Sequence, residues 1–435
     1  MRRPSTLFFV VLLCAAVVTG YAHFRFARLN RAINAGLNDG TDLQFEPKYD
    51  PPFLQGVGFP AGLIEVAQNH KRELLTGKDL IRRYEALDYL SEALVVEHGQ
   101  TVLKSLASST PIIWNLPESV EICAATPDFK RVRDYARIQA VIGRYLIAKG
   151  RPVEGTALLE SVAHIGPAIC LEHPERNFLI TQMIARALVG VAAEGFILAA
   201  ADLHPGRDQA RAIGESLRHA IALLPPLSYS FSLERKVIPS FPAAYRKQAE
   251  RTHSARGLIR AAEFEQVAAK AEPHLKKLFD PWTPLLDLPW SEAWPKLFEA
   301  ARANDDYINK YISVEGPANY IRSLLDPSES AARIMLSIVI PSPAGAFKGI
   351  WQTHQKIEGA RTVLAIEAFR KERNRLPGTM TELAAWWGTA IGEDYFSGRS
   401  LLYDSKRPSL ASVGPDQMPN TTDDILFLPL EDLVK

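Results

Sequence analysis

The sequence predicts a mainly α-helical protein that ends in a small α+β module. Three observations lead to this prediction. An uncharged apolar run, residues 6–24, opens the chain behind Arg2 and Arg3. Apolar residues then recur every three or four positions over long stretches, which is the period of a buried helix face. The last ninety residues change character, because a helical stretch gives way to turn residues and short apolar runs.

The composition is that of a globular protein. The chain has 435 residues, of which 47% are hydrophobic and 23% are charged, so it can bury a large core. Fifty basic residues are balanced by forty-nine acidic ones. Since no net positive field is left to attract a polyanion, we expect no nucleic-acid partner.

Residues 1–24 have the pattern of an export signal, with a basic start and an apolar segment near the minimum length for a membrane span. Gly20-Tyr21-Ala22 also has the small-x-small pattern of a cleavage site. Two outcomes therefore stay open. Either residues 6–24 anchor the chain in the bacterial inner membrane as a single span, with the bulk in the periplasm, or the segment is removed and the protein is periplasmic or secreted. Residues 25–60, rich in Gly, Asp and Pro, predict a linker.

Residues 61–226 predict a helical domain. Asp128 is expected to begin one helix and Gly150 to end it. Glycine at 143 and at 155 has the spacing of a tetratricopeptide-like helical hairpin, in which the missing side chains let two helices approach closely. A single hairpin and a repeat array are both compatible with this pattern. Residues 176–201 are apolar nearly all round, which predicts a central buried helix.

Residues 227–343 predict a second helical segment that packs on the first. Its prolines indicate a crossing loop over 227–242, and a long charged amphipathic helix is expected over 243–277. Residues 281–295 combine three tryptophans with several prolines. Such a cluster is either a loop packed on its own domain or a surface for a partner.

Residues 344–435 predict a compact C-terminal module. Residues 361–375 read as a helix, and a short capped helix around 381–383 follows a Leu-Pro-Gly turn. The remaining pattern is a turn, a strand-like run, a glycine-containing loop and an acidic pair before a last strand, at 394–398, 400–403, 412–416 and 423–427.

This order resembles the C-terminal half of the major pseudopilin of bacterial type II secretion. The resemblance implies a long helix packed on a short antiparallel sheet, with loops near the end that hold a calcium ion. The positions that match those loops include Asp416, Asp423 and Asp424. Several carboxylate oxygens at short range suit a hard cation. The alternative is that these acids only accept hydrogen bonds from their own loop. The overall layout also resembles a group of exported bacterial proteins without an assigned activity, which implies architecture alone.

The sequence holds few signals for chemistry. It contains no His-x-x-x-His, no Cys-x-x-Cys, no nucleophile elbow and no phosphate-binding glycine loop. Cys123 and Cys170 could form a disulfide in an exported chain, or remain two free thiols. His164 and His173 flank Cys170, which suggests a soft metal or an active site as an alternative.

Glu194 lies in the apolar stretch over 176–201, eight residues after Arg186. A carboxylate in such a stretch is either functional or part of a buried ion pair with that arginine.

Together these features predict a non-enzymatic bacterial envelope protein that acts as a scaffold and binds an envelope protein partner. No cofactor is expected apart from the calcium ion. Two alternatives remain. One is an enzyme with an unrecognised site in the helical body, of which Glu194, His164 and His173 would be the first suspects. The other is an accessory component of a secretion or pilus-like assembly.

Overall fold

The structure is a computed structural model that describes residues 126–308 and 343–429, together with 48, 51, 117, 326, 328–329, 331–333 and 336. The predicted membrane segment, Cys123 and, apart from residues 48 and 51, the linker lie outside the described residues. So does the start of the predicted helical domain, where the apolar stripe over 78–98 predicts a helix. The helices are α1 (Phe129–Ala148), α2 (Pro152–Glu172), α3 (Leu179–Leu203), α4 (Arg207–Ala222), α5 (Leu227–Thr252), α6 (Ala255–Phe279), α7 (Trp290–Tyr307), α8 (Pro343–Arg373) and α9 (Met380–Trp387).

The strands all follow α9. They are β1 (Glu393–Asp394), β2 (Arg399–Ser400), β3 (Leu402–Asp404), β4 (Ser409–Ser412) and β5 (Ile425–Pro429). Strands β1 and β2 form an antiparallel pair, and β3, β4 and β5 form an antiparallel sheet in chain order. The prediction of a mainly helical fold with a small antiparallel sheet near the C-terminus is confirmed.

Helices α1 and α2 form the predicted hairpin. A side-chain oxygen of Asp128 accepts hydrogen bonds from the backbone N–H groups of Lys130 and Arg131, at 3.1 and 3.3 Å, and so caps α1. A Cβ atom on Gly143 would lie 2.9 Å from the carbonyl oxygen of Gly155. The two helices therefore touch backbone to backbone where the glycine spacing predicted it.

Helix α3 is the central element of the first core. It begins at Leu179, because Pro174–Arg176 forms a short 3-10 turn, and it ends at His204, which has a left-handed backbone with φ 42°. Helices α1, α2, α4 and α8 pack against it. The predicted buried helix is thus confirmed, with a later start than its sequence pattern indicated.

The crossing loop predicted over 227–242 is wrong, because these residues form the first part of α5, which contains Pro239 and Pro242. Phe231 and Ile238 on this helix are buried in a second core, which lies between α5, α6, α7 and the start of α8. Burial of this stripe outweighs the helix propensity that the two prolines remove. The long amphipathic helix expected over 243–277 is divided into α5 and α6 by a turn at His253, which has φ 50°.

The tryptophans of residues 281–295 pack in the second core. Trp282 and Trp290 have no exposed surface. The Trp290 ring stacks on Trp294, with centroids 4.4 Å apart, and on Phe347 of α8 at 5.5 Å. The predicted packing on the same domain is therefore confirmed for these side chains, but the segment is not a loop throughout, because residues 290–295 belong to α7.

Helix α8 joins the two cores. Its first turns carry Phe347 and Ile350 into the second core, and later turns carry Val363 and Phe369 into the first. The C-terminal module consequently shares its main helix with the helical body.

Candidate functional site

One face of α8 carries the polar groups that hold the C-terminal loop. The side-chain amide of Gln355 accepts a hydrogen bond from the backbone N–H of Tyr395 at 2.7 Å and donates one to the carbonyl of Glu393 at 3.3 Å. One turn later, Glu358 accepts a hydrogen bond from the backbone N–H of Gly392 at 2.8 Å. Three loop positions are therefore fixed by two buried side chains of one helix.

Glu358 is also the centre of a buried charge group. Its carboxylate pairs with Arg361 on α8, and Arg218 of α4 lies 3.6 Å away. Gly214 on α4 makes room for this group, because a Cβ atom there would lie 3.0 Å from Cγ of Arg361. Arg361 is as deeply buried as Glu358, whereas Arg218 is 42% exposed, so the charge group reaches from the interior to the surface of α4.

Asp394 connects the two small sheets. Its side chain is fully buried, and its Oδ1 accepts hydrogen bonds from the backbone N–H groups of Phe396 and Ser397, at 2.9 and 3.3 Å. Its Oδ2 accepts one from Val413, directly after β4, at 2.8 Å. The predicted turn over 394–398 is thus closed by an aspartate that also holds the larger sheet.

The outer face of the larger sheet presents a row of apolar side chains. Leu402 on β3 pairs with Ala411 on β4, which pairs with Leu426 on β5. Leu426 is 73% exposed and Leu402 is 41% exposed. We call these three residues the apolar row. On the inner face, Leu410 and Phe427 are buried in the first core, so the exposed row is not a consequence of loose packing.

Helix α9 ties the module to the helical body at a second point. Its N-terminus is capped by Thr379, whose hydroxyl accepts a hydrogen bond from the backbone N–H of Glu382 at 3.1 Å. Its last carbonyl, that of Trp387, accepts hydrogen bonds from Arg207 and Arg211 of α4. The two guanidinium groups also lie over the rings of Trp386 and Trp387, at 4.9 and 5.1 Å from the centroids.

The structure brings the three predicted calcium ligands into one loop. Asp423 accepts hydrogen bonds from the backbone N–H of Asp416 at 3.0 Å and from the hydroxyl of Thr421 at 2.7 Å. Although desolvation opposes the shift, these hydrogen bonds lower the pKa of Asp423. Asp424 accepts one from the backbone N–H of Asn420 at 2.8 Å.

The loop folds back at Gly414, as expected. This glycine has φ 68°, and a Cβ atom there would lie 2.7 Å from the carbonyl carbon of Asp423. Each of the three carboxylates accepts a backbone hydrogen bond from the loop, since Asp416 also binds the N–H of Met418 at 2.8 Å. Within residues 126–308 and 343–429, no three His, Cys, Asp or Glu side chains are arranged to hold a metal ion. The hydrogen-bonded loop therefore accounts for these acids, and calcium binding stays a prediction.

In the helical body, His164 lies in a small polar cluster between α2 and α4. Its Nε2 is 3.3 Å from the hydroxyl of Ser216, and its ring centroid is 6.1 Å from that of His219. Burial, with a smaller effect of His219, lowers the pKa of His164 to about 4. Burial also raises the pKa of Glu160, one helical turn before His164, despite a hydrogen bond with Ser216.

The sequence reasoning missed Glu160 and Ser216. Glu160 and His164 have the i, i+4 spacing that places two side chains on one helix face, and this signal could have marked them. Ser216 is 52 positions from His164 along the chain, and nothing in the local pattern pairs them.

His173 and Cys170, the other two residues of the suggested soft-metal site, make different contacts. His173 ends α2 and faces Glu175, with 3.3 Å between Nδ1 and the carboxylate. Cys170 is buried, and its carbonyl accepts a hydrogen bond from the side chain of Asn177 at 2.8 Å. Since Cys123 lies outside the described residues, the disulfide between Cys123 and Cys170 remains a prediction.

The buried ion pair between Glu194 and Arg186 is not formed. Glu194 is partly exposed and pairs with Lys356 of α8. Arg186 is only 6% exposed and donates a hydrogen bond from Nη2 to the carbonyl of Pro225 at 2.9 Å. Eight residues along a helix place two side chains on a similar face but more than two turns apart, which is too far for direct contact. Helix α8 supplies the nearer partner for Glu194.

Among the described residues, α3 is the one helix that is long and apolar enough to cross a membrane. Of its most apolar window, 67% is buried inside the protein. Its length and apolar composition are accounted for by its central place in the first core.

Comparisons with protein families, with curated proteins and with solved structures find no match for this chain. The arguments for function therefore rest on the residues and their contacts.

Proposed function

We propose that this protein is a bacterial envelope scaffold that binds a protein partner through the outer face of its C-terminal sheet. The observation that carries the proposal is the apolar row, in which Leu402 and Leu426 are exposed on either side of the half-buried Ala411. Apolar side chains that are contiguous on a surface mark interaction sites more often than single exposed ones. A partner that buried the row would remove this surface from water.

The support beneath the sheet favours a preformed binding face. Gln355, Glu358 and Asp394 fix the loops that enter the sheet, and all three are buried. A face that is already ordered loses little conformational entropy when a partner docks, so a modest contact area can suffice.

The proposal includes a location. The apolar segment 6–24 would anchor the chain in the inner membrane and leave the sheet in the periplasm, or would be cleaved and release it there. The similarity to the pseudopilin is part of the same proposal, and the packing of a long helix on a short antiparallel sheet supports it. An accessory role in a secretion or pilus-like assembly is the form of partner binding that this similarity favours.

Site-specific photo-crosslinking in intact cells tests the proposal. A crosslinking amino acid at Leu426 is expected to capture a defined envelope protein. The matched control is the same amino acid at Val153, an apolar residue on α2 that is 79% exposed and distant from the sheet in sequence. Leu426→Glu is expected to abolish co-purification of that partner, whereas Val153→Glu leaves it intact. Identical products at both positions, or none at Leu426, would contradict a binding face on the sheet.

A second function, that of a hydrolase, is favoured by one contact, the 3.3 Å approach of His164 Nε2 to the Ser216 hydroxyl. The lowered pKa keeps His164 neutral at pH 7, the form that can accept the proton of a serine. However, Nδ1 of His164 is buried, and no described residue hydrogen-bonds to it. A fluorophosphonate probe distinguishes the two functions, because labelling that disappears in Ser216→Ala would assign an active site, and an unlabelled wild-type protein would exclude a reactive serine.

A further inference from the structure

Arg186 is a buried cation without a matching anion. Its side chain is 6% exposed, and among the described residues no carboxylate lies within ion-pair distance of it. Its Nε is buried, and none of the described residues forms a hydrogen bond with it. Its electrostatic partners of acidic type are Cys170 and Asp287, and Asp287 is exposed and accepts a hydrogen bond from the backbone N–H of Ser228 at 3.3 Å. Arginine is rarely buried so completely unless a negative group neutralises it.

The arginine lies at one end of a seam between α3 and α5. At the other end, the backbone N–H of Leu179 donates a hydrogen bond to Oε1 of Glu234 at 3.0 Å. At this end, Nη2 of Arg186 donates to the carbonyl of Pro225 at 2.9 Å. Residue 179 thus lies beside residue 234, and residue 186 lies beside residue 225. Because the numbers rise along one segment and fall along the other, the two segments are antiparallel.

Two further polar side chains lie between these contacts. Gln182 shares the face of α3 that carries Leu179 and Arg186, since the spacings are three and four residues. Ser230 lies four residues before Glu234 on α5, opposite Gln182 in the antiparallel alignment. Both side chains are completely buried.

Neither of these side chains is hydrogen-bonded to a described residue. Within the part of the chain that the structure describes, both amide atoms of Gln182, the hydroxyl of Ser230 and Nε of Arg186 have no hydrogen-bond partner. A buried polar atom without a hydrogen bond is unfavourable, so four such atoms in one seam indicate that the seam holds a polar ligand in the working protein. Three of the unpaired atoms can donate a hydrogen bond.

We propose that the seam between α3 and α5 binds a small oxyanion, a carboxylate or phosphate group, through Arg186, Gln182 and Ser230. The oxyanion neutralises the guanidinium and accepts hydrogen bonds from Nε of Arg186, Nε2 of Gln182 and the hydroxyl of Ser230. At the Arg186 end of the seam, Pro226 and Asp287 are exposed, so this end lies nearer to solvent than the buried Gln182 and Ser230. This site is separate from the apolar row and does not depend on the proposed partner.

Thermal melting and calorimetric titration of the full chain in mild detergent test the site. The probes are sodium phosphate and sodium acetate, each compared with sodium chloride at equal ionic strength. The wild-type melting temperature is expected to rise with at least one probe and to saturate with its concentration, which stabilisation by specific binding requires. A response to only one probe assigns the bound group as phosphate or carboxylate.

Two variants locate the effect. Arg186→Met and Gln182→Met are each expected to weaken oxyanion binding by about tenfold or more, since each removes direct donors. Arg211→Met, which removes a cation on α4 away from the seam, is expected to bind the probe like wild type. Without a probe, Arg186→Met should melt no lower than wild type, because it removes an uncompensated buried charge.

Three outcomes would overturn the proposal. The first is a wild-type rise in melting temperature no larger than that in chloride, which would leave water as the occupant of the seam. The second is that Gln182→Met binds the probe as well as wild type. The third is that Arg211→Met loses binding as well. Gln182→Met is neutral and close in volume to the native residue, so it decides the question even where Arg186→Met does not fold.

Discussion

The ring of Phe427 on β5 fills the space that Gly359 leaves on α8. A Cβ atom at residue 359 would lie 2.7 Å from Cζ of this ring and closer still to two other ring atoms. Gly359 and Phe427 are both buried in the first core, where the sheet meets the long helix. The distance between sheet and helix is therefore set by the absence of one side chain.

Gly359→Ala is expected to destabilise the protein by about 2 kcal/mol, because the added methyl group must displace the ring or the strand. Gly349→Ala is the matched control, since it lies on the same helix and a Cβ atom there meets nothing within 4 Å. That change should stabilise by about 0.5–1 kcal/mol through helix propensity. Urea unfolding of both variants measures the difference. If the two variants change the free energy of unfolding equally, or if Gly359→Ala is as stable as wild type, the close packing of Gly359 against Phe427 is contradicted.

Asp394→Ala is expected to lower the free energy of unfolding by about 3 kcal/mol or more. The change leaves the backbone N–H groups of Phe396, Ser397 and Val413 without their acceptor in the interior. Asp404→Ala removes a similar turn aspartate that accepts from Lys406 and Arg407 on the surface, where water replaces it. Chemical denaturation should show a large loss for the first variant and a much smaller one for the second.

Glu234 predicts a pH dependence of stability. Burial raises its pKa to about 7, although the hydrogen bond from the Leu179 N–H opposes this shift. Because the folded pKa lies above that of the unfolded chain, the folded state binds the proton more tightly. The free energy of unfolding should therefore fall as pH rises from about 4.5 to about 7, by about 2–3 kcal/mol.

Glu234→Gln should remove most of this slope, since the amide can still accept the hydrogen bond from Leu179. The variant is then expected to be more stable than wild type at pH 8 and close to it at pH 5. Denaturant midpoints at both values test this expectation, and parallel pH profiles of the two proteins would contradict it.

A variant in the acidic loop distinguishes a structural role of its carboxylates from calcium binding. Asp423→Ala removes the acceptor for Asp416 and Thr421, and it should lower stability by about 1 kcal/mol. If the carboxylates serve only the loop, this loss is the same with calcium and with a chelator. A wild-type melting temperature that rises with calcium, in a manner that Asp423→Ala abolishes, would instead establish the ion that the sequence suggested.

Local signals predicted much of the fold. The sequence predicted three features correctly: the cap at Asp128, the close helix approach at Gly143 and Gly155, and the turn over 394–398. Each depends on residues close in sequence or on a simple steric rule. Turn residues between short apolar runs predicted individual strands, whereas the antiparallel sheet was what the resemblance to the pseudopilin implied.

The errors arose where distant packing overrides local preference. Pro239 and Pro242 lie inside a helix because that helix buries its apolar face against α6 and α7. The partner of Glu194 is Lys356, 162 positions away, and the partner of His164 is Ser216, which no periodicity connects to it. For the same reason the sequence did not show that Arg186 lacks an ion pair among the described residues, since its expected counter-ion was assigned from helix spacing alone.

The position of α8 has a consequence for how the chain reaches its native state. Because this helix closes both hydrophobic interiors, the preceding helices emerge from the ribosome with their apolar faces still unsatisfied. The protein must stay soluble, or be held by a chaperone, until its last hundred residues have been made. A chain cut before residue 343 is accordingly expected to aggregate rather than fold into a shorter protein.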